Sequence, residues 1–121
     1  MTNTPPEGAS NKLDLTILIP AYNEEAVIAN TVSALIEHFR STGVAFEILV
    51  VNNNSKDGTS RVLSELANQH CEVRWIDSPQ RPGYGVAVRA GLDAYRGDAV
   101  VVVMADGSES PEDIEKLFRL V

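Results

Sequence analysis

Four segments of this 121-residue chain combine acids, amides and glycines in patterns that could do chemistry. In Met104-Ala105-Asp106-Gly107-Ser108-Glu109, two carboxylates follow an apolar run, and oxygen ligands of that kind suit hard divalent cations such as Mg²⁺ or Mn²⁺. Alone, Asp106-Gly107 is equally a turn and Ser110 a helix cap. Asn52, Asn53, Asn54 and Asp57 offer donors and acceptors that could read a base or a ribose, although the same residue types also form Asx-turns. Arg81-Pro82-Gly83-Tyr84-Gly85 leads into a helical pattern whose first amides could face an anion, with Arg81 or Arg89 adding a cation. Ala21-Tyr22-Asn23-Glu24 is the fourth polar segment. The glycine segment is not a dinucleotide fingerprint, because the third glycine of GxGxxG would fall at Val88, and no Lys follows it as a P-loop requires. No Ser or Cys pairs with a plausible His for nucleophilic catalysis.

The elements that must position these segments follow from hydrophobic periodicity. Leu13 to Pro20, Phe46 to Val51, Glu72 to Ile76 and Ala99 to Met104 are short apolar runs and predict strands, the last being the most apolar. Apolar residues three and four apart predict helices over Glu24 to Arg40, Thr59 to Gln69, and from the glycine segment through Tyr95, ended by Gly97. A last helix opens with Ser110 as N-cap, Pro111 in its first turn, and Glu112 and Asp113 behind it. Trp75, Tyr95 and Phe39 read as core, and His38 as lying on the solvated side of its helix. Strands alternating with helices predict a doubly wound, mainly parallel α/β sheet with helices on both faces, which binds ligands at the carboxyl ends of its strands. Every strand is followed by one of these polar segments: Ala21 to Glu24, Asn52 to Gly58, Asp77 to Gly85 and Asp106 to Glu109.

Composition narrows the classes. Lys and Arg number 10 against 17 Asp and Glu, and the net charge of −7 argues against a nucleic-acid partner. The longest apolar run, Ala99 to Ala105, falls far short of the roughly 20 residues that span a bilayer. Residues 1–12 read as a disordered polar leader without a signal-peptide core, which predicts a cytoplasmic location. The single Cys71 excludes a disulfide or zinc scaffold.

Taken together, IPAYNEE (Ile19 to Glu25), VVNNNSKDGT (Val50 to Thr59), RPGYGVAVRAG (Arg81 to Gly91) and MADGSESPED (Met104 to Asp113) resemble, in order and spacing, the family 2 glycosyltransferases. Within them the chain is most similar to transferases that pass a sugar from a nucleotide sugar to a polyprenyl phosphate, dolichol-phosphate mannosyltransferase among them. The resemblance covers residues 13–121 and implies the glycosyltransferase A, Rossmann-like fold. It also implies that Pro20, Ala21, Tyr22 and Glu24 line a nucleotide pocket, that Asn52, Asn53 and Asp57 approach base and ribose, and that Arg81, Gly83 and Gly85 lie near the diphosphate. Ala105 and Asp106 would complete that pocket. Asp106 matches the second acid of the family's DxD and would be the catalytic residue, holding Mg²⁺ or Mn²⁺ against the diphosphate, with Glu109 as a further ligand. The implied reaction inverts the anomeric centre, with a UDP- or GDP-sugar as donor and a polyprenyl phosphate or a saccharide as acceptor.

Two departures stand out. Met104 replaces the first acid of DxD, and Asn52-Asn53 replaces the family's paired aspartates. These substitutions raise the alternative of a catalytically degenerate nucleotide-binding or interaction module. A receiver-like, flavodoxin-like domain would need acids clustered after the first strand, where this chain has Pro20-Ala21-Tyr22-Asn23. In the family the acceptor-binding half follows the acidic motif. The chain is therefore expected to hold the nucleotide half, with little transfer activity alone, and peripheral membrane association would come from the part that follows.

Overall fold

The computed structural model describes residues 12–81 and 83–120. The leader expected over residues 1–12 lies outside the described residues except for Lys12, whose Nζ stands 3.1 Å from an Asp98 carboxylate oxygen. Pro82 of the glycine segment lies outside them as well. The elements run β1 (Leu13–Ala21), α1 (Ile28–Arg40), β2 (Phe46–Asn52), α2 (Thr59–Gln69), β3 (Val73–Asp77), α3 (Tyr84–Leu92), β4 (Gly97–Val102) and α4 (Pro111–Arg119). All strand pairs are parallel, in the order β3-β2-β1-β4. The chain steps outward from β1 to β3, then returns to the other side of β1, so the switch in strand order lies between β1 and β4.

The apolar runs of β1 and β2 are sealed from both sides. On one face Ile17, Ile19, Ile48 and Val50 share a buried cluster with Phe39 of α1, Leu63 of α2 and Ile114 of α4. On the other, Leu18, Leu49 and Val51 meet Ala87 of α3. That helix comes close because Gly91 has no side chain: a Cβ there would collide with Leu18. At α4 the expected start is borne out, with Ser110 Oγ accepting from the Asp113 N–H at 3.1 Å and Pro111 in the first turn.

Four expectations are corrected. Helix α1 begins at Ile28 instead of Glu24; residues 24–27 form a turn, with the Val27 and Ile28 amides on the Glu24 carbonyl. Helix α3 stops at Leu92, so Gly97 does not terminate it but opens β4, where a Cβ would sit 2.5 Å from the Thr16 backbone nitrogen. Tyr95 consequently lies in the connecting loop and is exposed. Strand β4, although the most apolar run, is only half-buried because it lies at the sheet edge, and β2, between two partners, is the strand buried along its whole length. The His38 ring is mostly covered instead of solvated, with Nε2 2.7 Å from Glu115 Oε1 on α4. Trp75 and Phe39 do pack with the core.

At the amino end of the sheet one buried carboxylate ties the layers together. Glu47 accepts the Thr16 hydroxyl at 2.7 Å, the Arg74 guanidinium at 3.1 and 3.3 Å, and the Arg96 N–H at 2.9 Å. Arg74 also donates to the Ala94 carbonyl at 2.7 Å, and the Gly97 N–H to Thr16 Oγ1 at 2.9 Å. Burial pushes the Glu47 carboxyl up, but the bonds from Arg74, Thr16 and the Arg96 N–H, with the Arg74 charge, outweigh it and hold the group below its ordinary value. A carboxyl held low when folded adds stability above its unfolded pKa and loses it as pH falls through the folded one. Urea unfolding should therefore show stability declining as pH is lowered from about 6 to below about 4. Glu47→Gln should cost about 2 kcal/mol at neutral pH and make that decline shallower. An unchanged pH profile in the variant would show that this carboxylate does not drive the decline.

Candidate active site

Because the strands are parallel and in register, their carboxyl ends lie abreast: Ala21 pairs with Asn52, and Asn52 with Asp77. At this edge, by the switch point, a cleft of about 380 Å³ is lined by Pro20, Ala21, Tyr22, Glu24, Asn53, Gly83, Tyr84, Met104 and Ala105. The structure thus brings together most of the residues that sequence singled out for a nucleotide pocket. It adds the half-exposed ring of Tyr84 and thioether of Met104. Asn52, Asp57, Arg81, Gly85, Asp106 and Glu109 are not among its lining residues.

The loops leaving β1 and β2 are stitched to each other by the motif residues themselves. The Lys56 N–H donates to Asn23 Oδ1 at 2.8 Å and the Asn23 N–H to Ser55 Oγ at 3.0 Å. The Glu24 N–H donates to Thr59 Oγ1 at 2.9 Å, and the Glu25 N–H to Asp57 Oδ2 at 3.3 Å. Glu25 returns a carboxylate oxygen to the Gly58 N–H at 3.0 Å. The other Asp57 oxygen takes both the hydroxyl and the N–H of Thr59. These bonds, the Thr59 hydroxyl first, hold the Asp57 carboxyl below the usual carboxylate range. Asn23 and Asn54 take positive φ values of 53° and 61°, which asparagine tolerates better than most residues. Both oxygens of Asp57 therefore fix the loops.

A second set of bonds positions the glycine segment. Asn53 is buried; its Nδ2 donates to the Gly83 carbonyl at 2.9 Å, while its Oδ1 accepts from Ser78 Oγ at 2.9 Å and Asn54 Nδ2 at 3.1 Å. Asn54 Nδ2 also reaches the Pro79 carbonyl at 3.2 Å. Gly83, at φ 135°, precedes α3, and no side chain caps that helix start. Its first amides thus lack an intrahelical partner beside the cleft.

After β4, Thr31 Oγ1 on α1 holds the Ala105 carbonyl at 2.8 Å. Asp106 is exposed and accepts the Ser108 N–H at 3.0 Å; the hydrogen bonds from Ser108 hold its carboxyl below the ordinary range, so it is ionised at neutral pH. Glu109 turns back to accept the Met104 N–H at 3.0 Å, which brings a carboxylate to the strand end that carries Met104. Among the described residues, no three His, Cys, Asp or Glu side chains gather as a metal site. The donor set suits a cation shared with a phosphate ligand better than an all-protein cage, since Mg²⁺ commonly takes one or two carboxylates with substrate phosphates and waters. No helix among the described residues is long and apolar enough to cross a membrane.

Sequence reasoning placed Asp77 and Ser78 in the polar segment after the third strand but gave them no site role, because an isolated Asp-Ser-Pro reads as a turn.

The family described as Glycosyl transferase family 2 matches residues 16–121. An uncharacterized glycosyltransferase, YkcC, from Bacillus subtilis is 37% identical over 91% of this chain and 34% of its own length. A dolichyl-phosphate beta-glucosyltransferase, ALG5C, from Trichomonas vaginalis is 36% identical over 88% of this chain and 33% of its own. Among solved structures, the mannosyltransferase PcManGT from Pyrobaculum calidifontis, in complex with GDP-Man and Mn²⁺, superposes with a TM-score of 0.68 at 25% identity, over 86% of this chain and 31% of that one. The chain spans about a third of the length of these relatives.

The stitched loops should behave as one unit. Asp57→Ala is expected to speed amide hydrogen exchange both at residues 55–59 and across the gap at residues 23–25, with the interior of β2 unchanged. Faster exchange at residues 55–59 alone would show that the two loops are not coupled.

Proposed function

Because the chain belongs to glycosyl transferase family 2, with the glycosyltransferase A fold, we propose that it carries the donor half of an inverting transferase. That enzyme passes a sugar from a UDP- or GDP-sugar to a polyprenyl phosphate. The observation that carries this reading is the cleft at the switch point, which gathers residues from the carboxyl ends of β1 and β2, the start of α3 and the end of β4. The relatives named for dolichyl-phosphate chemistry and the GDP-Man complex support the acceptor and donor classes.

In this reading Pro20, Ala21, Tyr22, Glu24 and Asn53 hold the nucleoside, with the Tyr22 ring as an apolar wall. Asn52 adds hydrogen bonding beneath it, and Asp57 acts by fixing the loops. Gly83, Gly85 and the uncapped amides of α3 receive the diphosphate, with Arg81 as a nearby cation. Asp106 is the acid at the reacting end and, with Glu109, the ligand for Mg²⁺ or Mn²⁺; Ala105 sets their place. When bound, such an ion neutralises the departing nucleoside diphosphate. An acceptor phosphate oxygen is already anionic, so attack on the face of the sugar opposite the leaving diphosphate needs no strong base from the protein. The enzyme works at the cytoplasmic face of the membrane that holds its lipid acceptor. A saccharide acceptor would instead require a base. A catalytically silent nucleotide-binding module is the second reading, favoured by the uncharged Met104 thioether in the cleft and by the Asn53 amide being engaged with Ser78 and Gly83 of the next loop.

The test is a thermal-unfolding screen with UDP, GDP, ADP and NAD, each with and without Mn²⁺. UDP or GDP should raise the midpoint, by the equivalent of about 2.7 kcal/mol at a hundredfold excess over Kd, and more with Mn²⁺. Asp106→Asn should remove the Mn²⁺-dependent part and Glu109→Gln should reduce it. Stabilisation by none of the nucleotides would overturn the donor-site reading. Binding without sugar transfer by the full-length protein would select the silent module.

A further inference from the structure

Asn52 and Asp77 form a cross-strand pair at the carboxyl ends of β2 and β3, side by side in register. Asn52 Nδ2 donates to Asp77 Oδ1 at 3.1 Å. An ionised carboxylate only accepts, so this bond fixes which end of the amide faces Asp77 and leaves Asn52 Oδ1 on the other side. That oxygen is buried, Asn52 being 5% exposed, and it has no hydrogen-bond partner. Its register partner on that side, Ala21, offers a methyl group, and the Asn53 N–H next to it is taken by the Ala21 carbonyl. Beside it, the Asp77 carboxylate is exposed. The strand ends therefore present an orphaned neutral acceptor on the β1 side of the Asn52 amide and an exposed carboxylate acceptor on its β3 side. The pair adjoins the cleft through Ser78, next to Asp77, which donates its hydroxyl to the cleft-lining Asn53 and its N–H to the Asn52 carbonyl at 3.1 Å.

Two adjacent acceptors fit a ligand that brings donors, and a buried orphan acceptor calls for one. We infer that Asp77, oriented by Asn52, is a nucleoside-binding residue of the donor site, accepting a ribose hydroxyl or a base imide N–H; this rests on the nucleotide-sugar reading above. The pair also accounts for the amide at position 52. A carboxylate there would face Asp77 within hydrogen-bond distance, and two like charges so placed disfavour each other. The charge at this strand edge is thus carried on β3, and the amide on β2 is its complement.

The test exchanges the two groups in the purified protein and reads the Kd for whichever of UDP or GDP the parent binds, with Mn²⁺, beside the Kd for pyrophosphate with Mn²⁺. Asp77→Asn keeps an acceptor for the Asn52 amide and removes the charge. It should weaken the nucleoside diphosphate about tenfold and leave pyrophosphate unchanged. Asn52→Asp sets two carboxylates together and should weaken the nucleotide by a similar factor. The exchanged pair, Asn52→Asp with Asp77→Asn, should recover affinity to within about threefold of the parent, because the same charge and amide are restored. The 2′-deoxynucleotide and cytidine diphosphate, which lacks an imide N–H, separate the two donors: the analogue missing the relevant group should bind the parent and Asp77→Asn equally. Parent-like affinity in Asp77→Asn, an equal loss for pyrophosphate, or no recovery in the exchanged pair would overturn the assignment. A parent that binds pyrophosphate but no nucleotide would remove the reading on which it rests.

Discussion

The constraint on which this structure depends is the parallel register of β1 between β2 and β4. Parallel strands cannot be joined by tight turns, so each must hand the chain to a crossover at the same edge of the sheet. With Ala21, Asn52 and Asp77 abreast, the loops after β1, β2 and β3 start from one line. The β4 strand, placed on the far side of β1, brings Met104 and Ala105 to the same edge from the opposite direction. The crevice follows from connectivity alone, before any side chain is chosen. Glu47, at the opposite end of the sheet, is what keeps that alignment firm. It ties β1, β2, β3 and the turn into β4 through one carboxylate.

An edge built of loops carries many backbone groups that no sheet or helix satisfies, and these need partners. Here the polar residues of the motifs supply them. Asn23, Glu25, Asp57 and Thr59 bond across the gap between the first two loops, and Asn53 and Asn54 do the same between the second and third. Conformational definition of the cleft and its chemistry thus draw on the same short segments. Asp57 shows the division most clearly. It is an acid in a motif that suggests ligand binding, yet both of its oxygens accept from the protein's own loops. Asp106 keeps an exposed position at the edge, with one oxygen held by the Ser108 N–H.

The element pattern was legible because apolar spacing reports burial. Helix α2 has the bounds that Val62, Leu63, Leu66 and Ala67 predict, and the Ser110-Pro111 start of α4 is a local signal that needs no tertiary partner. What sequence could not show were the places where a distant residue decides. Helix α1 starts late because the Glu24 and Glu25 amides are given to Thr59 at the start of α2 and to Asp57 in the loop before it, 35 and 32 residues on. Gly97 reads as a helix stop until β1 is seen to press against it at Thr16. Strand β4 is the most apolar run yet only half-buried, because depth depends on having a neighbour on each side, which only the strand order reveals. The cleft residues Pro20, Ala21, Tyr22, Glu24, Asn53, Gly83 and Ala105 were legible as a group only through the family resemblance, whose motifs fall at the carboxyl ends of the strands.

The distribution of acid along this edge illustrates why a motif position and its function can separate. Viewed one strand at a time, Asn52 and Met104 look like losses of charge. In three dimensions each has a carboxylate within hydrogen-bond distance: Asp77 on the Asn52 amide, and Glu109 on the Met104 N–H. The two cases differ in kind. Asp77 comes from the next strand and meets a side chain, so the identities of the two positions are coupled, and an acid on one disfavours an acid on the other. Glu109 comes from its own loop and meets a backbone N–H, a bond that any residue but proline at position 104 could donate, so Met104 is not required by its partner. The exposed thioether at that position faces the cleft, whereas the buried Asn52 amide is set by its partner on the next strand.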